Sequence, residues 1–361
     1  MKLFRHRVVL SVFLFLFFAG FLKLVSQAAQ NETEAARESV VSLQVSVNDE
    51  IAAEDAAGHH VHLTPLRSRA SAHLRFEDPE ISRSNPHPQS SAPAVQSSEP
   101  ETSFSVPTVP GVPAPGFYPA DLSDPNHGKV LPSAVSNSVY VNCPASCWGT
   151  PAAFLARFNY SNFMHITDEY VGSTANHRYP QGAATSINTT LPAKLTATNI
   201  LQLVHAAAHV HGSGYGHIYH IFLRSGVDVC TSTNVCYSPD NFSTFVFCAY
   251  HGGVDFKDIG HVLYTVEPYQ NVQGCSVAQP SPNGPLVDST SSTLSHELIE
   301  IVTDPDGDAW FAQNSLIEYG AEIGDICENP FGQYGAFSID GKLYAIQPEY
   351  SNKFHACATT P

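Results

Sequence analysis

The stretch of residues 289–308 carries the clearest periodic pattern of apolar and polar positions in the chain. At about 100° of rotation per residue, its apolar side chains share one broad side: Leu294, Leu298, Ile301 and Val302, with Ile299 beside them. A narrow wedge opposite contains Thr293, His296, Glu297, Glu300 and Asp304. The pattern predicts a helix that is largely buried, capped at its start by Asp288 or Ser289 and ended by Pro305.

The ionisable wedge of this helix predicts a metal site. Buried carboxylates need a cation, because an unpaired buried charge costs several kcal/mol, and the stretch contains no Lys or Arg. His296 and Glu300 are four residues apart and therefore lie on one face. This is the spacing of the zinc-binding H-E-x-x-H helix, with Glu in place of the second His. Glu297, next to this pair, is the candidate general base that accepts a proton from the attacking water.

A zinc ion needs a further protein ligand, and an acidic segment downstream supplies two candidates. Asp325 is the first and Glu322 the second, and their spacing of three places them on one side of a helical turn. The alternative is that both are exposed acids that cap a helix. Residues 304–308 resemble a calcium loop, but Gly307 stands at the fourth position instead of the sixth. Zinc is the predicted cofactor and calcium the alternative. A further alternative is that the helix is partly exposed and that its acidic side chains face water without binding a metal.

The remaining pattern predicts an α+β fold in which this helix packs on a mixed sheet. The predicted strands are residues 138–142, 165–171, 217–224, 242–251, 261–266, 336–339 and 342–346. Two further helices are predicted over residues 151–160 and 193–211, and residues 318–328 form the segment that bears the downstream acids.

The N-terminal third predicts export followed by a region without a core. Residues 1–28 combine a basic start, an apolar run and small residues suited to cleavage, as in a signal peptide. Residues 29–131 are rich in Pro, Ser and Ala and cannot bury enough apolar area to offset their ordering entropy. They are predicted to be a disordered leader or a propeptide, and residues 132–361 the folded domain. We expect a secreted protein with no membrane segment after cleavage.

Charge and cysteine content narrow the function further. The net charge is −16 and only 14% of residues are charged, which argues against nucleic acid as a partner. The even number of cysteines in an exported chain predicts disulfides at Cys143, Cys147, Cys230, Cys236, Cys248, Cys275, Cys327 and Cys357. Local spacing favours the pairs 143–147 and 230–236, which leaves 248–275 and 327–357. Glycosylation sequons occur at Asn31, Asn159, Asn188 and Asn241.

The other histidines are weaker candidates. A histidine-rich stretch comprises His205, His209, His211, His217 and His220, and it has no acid nearby to act as a general base. His251, at the end of a predicted strand, is a candidate hydrogen-bond donor to a developing oxyanion. The alternative for all of them is an ordinary packed or surface histidine.

Four segments together carry a resemblance to a known family. They are residues 247–251 (FCAYH), 295–305 (SHELIEIVTDP), 309–311 (AWF) and 322–327 (EIGDIC). In order and spacing they resemble the secreted proteins related to the plant EXORDIUM and phosphate-induced family and their bacterial relatives with a zincin-like signature. The resemblance covers about residues 138–330. It implies a zincin-like domain over residues 132–361 with His296 and Glu300 as ligands, Glu297 as base and Asp325 as the downstream acid.

The leading hypothesis is a secreted zinc-dependent hydrolase, a metallopeptidase acting on a peptide or cell-wall substrate. The rival is a non-catalytic extracellular or cell-wall-associated protein that keeps a structural metal or a carboxylate cluster. A glycan hydrolase using Glu297 and Glu300 is disfavoured, because two carboxylates within one helical turn cannot flank a sugar bond from opposite sides.

Overall fold

A computed structural model describes residues 40–45, 61–66, 121–277, 280–312, 322–328 and 335–361. A seven-stranded sheet organises these residues, in the order β1–β4–β3–β6–β10–β9–β2. Its strands are β1 (Val41–Gln44), β2 (Val61–Pro65), β3 (Val135–Val141), β4 (Gln181–Asn188), β6 (His217–Leu223), β9 (Phe247–Phe256) and β10 (Gly260–Glu267). Strands from β1 to β10 pair in parallel, whereas β9 pairs antiparallel with both β10 and β2. The sheet is therefore mixed, as the sequence predicts.

Four helices occur in the described residues: α1 (Pro151–Asn159), α2 (Asp168–Val171), α3 (Ala197–His211) and α4 (Pro285–Thr303). Smaller sheets contain β5 (Lys194–Thr196), β7 (Asp228–Ser232) and β8 (Val235–Tyr237), then β11 (Gly335–Ile339) with β12 (Lys342–Ile346), and β13 (Glu349–Ser351) with β14 (Ala356–Ala358).

Helices cover both faces of the large sheet, because its strands alternate apolar side chains to either side. On β6, Ile218 and Phe222 join the core cluster of α4, whereas Tyr219 and Ile221 join the core cluster of α3. Sheets containing parallel strands are commonly buried on both faces in this way. The sequence predicted that one helix packs on the sheet. The structure has helices on both faces of the sheet, which gives a three-layer α/β arrangement.

Helix α4 corresponds to the stretch that dominates the sequence pattern. It ends at Thr303, before Pro305, as predicted. Its start was predicted wrongly, since the helix begins at Pro285 after Gly284. Proline at the first helical position supplies a φ angle suited to helix and lacks an N–H that would be unpaired there. Asp288 consequently lies in the first turn, where its carboxylate accepts hydrogen bonds from Ser281 and Asn283.

The prediction of a disordered leader is wrong for three short stretches, residues 40–45, 61–66 and 121–131. Strands β1 and β2 fall within residues 29–131 and form the two edges of the large sheet. Leu122 and Leu131, also placed in the leader, are buried in the core with α4. The remainder of residues 1–120 lies outside the described residues, including the predicted signal peptide.

Two other element predictions need correction. Residues 165–171, predicted as a strand, form the end of a 3-10 turn (Asn162–Thr167) and helix α2. Residues 242–246 precede β9 instead of belonging to it. Of residues 318–328, the structure describes 322–328, a turn with one short 3-10 segment (Asp325–Cys327). Local aromatic and β-branched content indicated strand in the first two cases, and packing against the core decided otherwise.

All four expected disulfides are present: Cys143–Cys147, Cys230–Cys236, Cys248–Cys275 and Cys327–Cys357. Of the sequons, Asn188 and Asn241 are exposed, and Asn31 lies outside the described residues. Asn159 was a wrong prediction, since it is buried and its side-chain oxygen accepts a hydrogen bond from the Tyr179 backbone N–H. Among the described residues, no helix is long and apolar enough to cross a membrane.

Candidate metal centre

Helix α4 brings three of the predicted site residues to one buried place. His296, Glu297 and Glu300 are each at most 1% exposed, and the helix carries no Lys or Arg to neutralise them. The sequence pattern predicted burial from the apolar girth of this helix, and the structure agrees. Strand β12 packs along the helix, and β9 and β10 of the large sheet cover another side.

The turn of residues 322–328 docks against this part of α4. The Asp325 backbone N–H donates a hydrogen bond of 3.1 Å to Glu300 Oε1, and the Cys327–Cys357 disulfide ties the turn to β14. Gly324 permits the close approach. A Cβ atom at this position would lie 2.7 Å from His296 Nδ1 and 2.8 Å from Glu300 Oε1. Only glycine therefore lets the turn reach the helix without displacing these side chains.

Three ligand atoms meet where the turn contacts the helix. His296 Nε2 lies 3.1 Å from Glu300 Oε2 and 3.7 Å from Asp325 Oδ1. Donor atoms around a tetrahedral zinc ion, with bonds of about 2.0–2.1 Å, are about 3.3 Å apart. No hydrogen bond of regular geometry reaches either ring nitrogen of His296 or Asp325 Oδ1 among the described residues. The three side chains thus have the spacing of ligands and fit a divalent cation.

The sheet contributes a second part of the centre through a row of polar side chains on the α4 face. One residue from each of the neighbouring strands β3, β6, β10, β9 and β2 belongs to it: Ser138, His220, Thr265, His251 and His62. His62 and His251 are direct cross-strand partners whose rings stack with centroids 5.2 Å apart. Polar residues inside a covered sheet face are uncommon, so this row marks where the sheet meets the charged side of α4.

Strands β9 and β2 both contact Glu297. His251 Nδ1 lies 3.1 Å from Glu297 Oε2, and the Thr64 hydroxyl donates a hydrogen bond to Glu297 Oε1. Both carboxylate oxygens are thereby held. Glu322, from the turn, is also close: its Oε2 lies 2.8 Å from His62 Nδ1 and 3.7 Å from His251 Nε2. Every predicted site residue of the centre is therefore within one connected cluster.

The centre contains more carboxylates than its histidines can offset. The buried acids around it are Glu267, Glu297, Glu300, Asp304, Glu322, Asp325, Glu328 and Glu349. Burial raises the pKa values of Glu297, Glu322, Asp325 and Glu349 well above the usual range, and it raises that of Asp304 to about 7. Without a cation, these groups must stay protonated to be tolerated.

The histidines respond to this environment in opposite ways. Burial lowers the pKa of His251 to about 3, with His62 contributing in the same direction, so His251 is neutral. Burial alone would also lower the pKa of His296, but the adjacent Glu300 and further acids raise it well above its usual value. For Glu300, burial would raise the pKa, but the neighbouring His296 holds it below its usual value. A divalent cation would take the place of the proton on His296, since metal binding releases protons from ligands.

His62, Thr64 and Glu349 contribute to the centre but were not predicted from the sequence. His62 and Thr64 lie on β2, in a stretch assigned to the leader, and Glu349 lies on β13 and is fully buried. Residues 61–64 alternate apolar and polar side chains, which is typical of a strand. In the structure, His62 and Thr64 point to the α4 side and Leu63 packs on the α3 side. Glu349 offered no sequence signal.

The histidine-rich stretch lies elsewhere, apart from one residue. His209 is exposed on α3, and His205 pairs with Asp258 at 2.9 Å. His211 contacts Thr185 at 2.7 Å, and His217 stacks with Tyr219. His220 is buried within the polar row, where its Nδ1 lies 3.0 Å from the Thr265 hydroxyl oxygen.

The acids of residues 304–308 separate instead of forming an oxygen cage. Asp304 is buried beside the centre, whereas Asp308 is exposed. Asp306 lies near the surface, where the Tyr215 hydroxyl donates to it at 2.7 Å and His261 Nε2 lies 3.1 Å away. A calcium site formed by these residues as one loop does not fit this arrangement.

Comparison with known proteins gives one partial match. The chain is 38% identical over 64 residues to the Arabidopsis thaliana protein named Protein EXORDIUM-like 3. The match covers 18% of this chain and 19% of that protein. It supports the EXORDIUM resemblance. No protein-family model matches the chain, and no solved structure is similar to it.

Proposed function

We propose that the protein is an extracellular zinc-dependent hydrolase of the metallopeptidase class. The observation that carries the proposal is the convergence of His296, Glu300 and Asp325 from two distant segments at ligand-like distances, in a buried place without Lys or Arg. Zinc fits because nitrogen and carboxylate ligands with this spacing are typical of its catalytic sites. The four disulfides and the partial EXORDIUM-like match support an extracellular location.

Glu297 is the residue assigned to proton transfer. When bound, zinc would polarise the scissile carbonyl and increase the acidity of water beside it. Burial raises the pKa of Glu297, which suits a carboxylate that must accept a proton near neutral pH. His251 and Thr64 fix its orientation through the two carboxylate oxygens. The role of His251 as donor to an oxyanion stays a prediction, whereas its contact supports a role in positioning Glu297.

The zincin-like fold and the peptide or cell-wall substrate belong to the same proposal. They are supported by the H-E-x-x-E helix and by its position against the sheet edge formed by β9 and β2. Of the residues that surround the centre, His62 has a side chain that is 29% exposed. We therefore place the approach of substrate on the β2 side.

The test is metal analysis of the purified full-length protein, followed by hydrolysis assays of Glu297→Gln on unstructured protein substrates. We expect unchanged zinc content and a loss of hydrolysis of about 10²-fold or more, the usual contribution of a general base. Full activity of Glu297→Gln would remove Glu297 from the mechanism. Absence of bound metal in the wild-type protein would overturn the proposal.

The second candidate is a non-catalytic extracellular or cell-wall-associated protein in which the ion is structural. It is favoured by one observation: both oxygens of Glu297 are engaged by Thr64 and His251 in a centre that is almost fully buried. In that case Glu297→Gln leaves function intact, whereas His296→Ala lowers the melting temperature. The two substitutions together distinguish a catalytic ion from a structural one.

A further inference from the structure

The turn and the two edge strands place a second set of ligand atoms beside the first. His62 on β2, His251 on β9 and Glu322 in the turn each offer one donor atom, and these atoms lie within 4.8 Å of one another. This set shares no residue with His296, Glu300 and Asp325. It is also assembled from three segments that are far apart in the chain.

Contacts within this second set have the distances of ligands without the geometry of hydrogen bonds. His62 Nδ1 is 2.8 Å and His251 Nε2 is 3.7 Å from Glu322 Oε2. These values bracket the separation of about 3.3 Å between donor atoms on one tetrahedral zinc ion. Among the described residues, no hydrogen bond of regular geometry reaches His251 Nε2, and the carboxyl of Glu322 faces another buried carboxyl, that of Asp304. Each of these residues is at most 1% exposed, so water does not replace the absent partners.

The tautomer of His251 is set by Glu297. His251 Nδ1 lies 3.1 Å from Glu297 Oε2, and when Glu297 is ionised the Nδ1–H donates to it, which leaves the lone pair on Nε2. A histidine whose second nitrogen is held by a carboxylate is the usual arrangement of a metal ligand. His251 is thus oriented towards Glu322 as a ligand would be.

The number of buried carboxylates also supports a second cation. With neutral histidine ligands, one divalent cation offsets two carboxylates, but the buried acids around the centre are more numerous, as described above. Glu300 lies between the two sets, since its Oε2 is 3.1 Å from His296 Nε2 and 3.6 Å from His251 Nδ1. Hydrolases with paired ions hold them about 3.5–4 Å apart between acids of this kind.

We propose that His62, His251 and Glu322 bind a second divalent cation next to the ion held by His296, Glu300 and Asp325. The inference rests on the proposed function, because it requires that the first ion is bound. It also makes a leader residue, His62, part of the metal centre. The exposed edge of His62 is the entry path for this ion.

The experiment measures zinc stoichiometry of the full-length protein. The protein is stripped with a chelator, titrated with zinc chloride, separated from free ion by gel filtration and analysed by mass spectrometry of the metal. We expect about two zinc ions per chain in the wild type and about one in His62→Ala. The matched control is His209→Ala, which removes an exposed histidine of α3 and should keep about two ions.

Glu322→Gln tests the same ion from the turn and is the deciding variant if His62→Ala fails to fold. About one ion in Glu322→Gln supports the proposal, and two ions in either folded variant overturn it. One ion in the wild type overturns the second site and leaves the proposed function standing. No ion in the wild type overturns both. Loss of both ions from a folded His62→Ala protein also contradicts the proposal, because it shows one shared site.

Discussion

Two histidine–carboxylate clusters in this protein differ in their contact with solvent. In the metal centre, His251, His296, Glu297, Glu300, Glu322 and Asp325 are each at most 3% exposed, and His62 alone among its ligand candidates reaches the surface. The second, here called the His261 cluster, comprises His261, Asp255, Asp306 and Tyr215. Its Asp255 is 78% exposed, and its Asp306 accepts a hydrogen bond from Tyr215. The two clusters therefore contain similar residue types but differ in how far water can stabilise their charges.

The difference shows what burial demands. In the His261 cluster, water and the neighbouring His261 stabilise two carboxylates, so no further cation is required. In the metal centre, several carboxylates share the same buried space, and burial raises the pKa values of most of them. Only protons or metal ions can compensate charge there.

Removal of metal should have the largest effect. A ligand present at about 1,000 times its dissociation constant stabilises the native state by about 4 kcal/mol. We therefore expect the melting temperature of chelator-treated protein to fall and to recover on addition of zinc chloride. Scanning calorimetry with and without zinc measures this effect. Equal melting temperatures in both conditions would contradict a metal centre of this affinity.

Substitution of His296 should destabilise the protein even before metal is added. His296→Ala leaves Glu300 without its buried partner, and loss of one partner of a buried pair costs about 3–5 kcal/mol. The comparison variant is His261→Ala. Its partners Asp255 and Asp306 have 78% and 25% of their side chains exposed, and we expect a loss of about 1 kcal/mol or less. Urea denaturation measures both. A similar loss for the two variants would remove the distinction between the clusters.

Enlargement of Gly324 should disturb the docking of the turn. The added methyl of Gly324→Ala would lie 2.7 Å from His296 Nδ1, and overpacking of this kind costs about 1–3 kcal/mol. We expect lower stability and weaker zinc binding by isothermal titration calorimetry. Gly216→Ala is the matched control, because its Cβ would meet nothing within 4 Å. Unchanged zinc affinity in Gly324→Ala would show that the turn does not position a ligand.

The smallest effect is the pH dependence of the His261 cluster. Burial alone would lower the pKa of His261, but Asp306 and Asp255 outweigh it and raise the pKa above its usual value. Stabilisation is then complete below the unfolded pKa of about 6.5 and is lost as pH rises through the folded pKa. Burial and Asp306 raise the pKa of Tyr215, so its hydroxyl stays neutral in this range.

His261→Gln should therefore lower stability at pH 6 by about 1 kcal/mol or less, after allowance for solvent screening. At pH 9 it should match the wild type. Urea denaturation of both proteins at the two pH values measures this difference. An equal loss at pH 6 and pH 9 would show that packing, and not charge, explains the contribution of His261.

Local features of this protein can be read from its sequence. The 3.6-residue period placed His296, Glu297 and Glu300 on one side of a buried helix, and Pro305 set the end of that helix. The cysteine spacings indicated the four disulfides, and the alternating strands indicated a mixed sheet. The helix and the two shortest disulfides depend on residues near in the chain, which periodicity and spacing report directly.

The distant residues that complete the centre are brought together by strand pairing and packing in the folded chain. His62 and Thr64 became part of it because β2 pairs with β9 in a register that points both side chains at α4. Glu349 joined it through the packing of a separate short strand. A short apolar and polar alternation such as Val61–Thr64 has too little propensity to form a strand alone. The edge of an existing sheet supplies its hydrogen bonds, and that edge exists only in the folded chain.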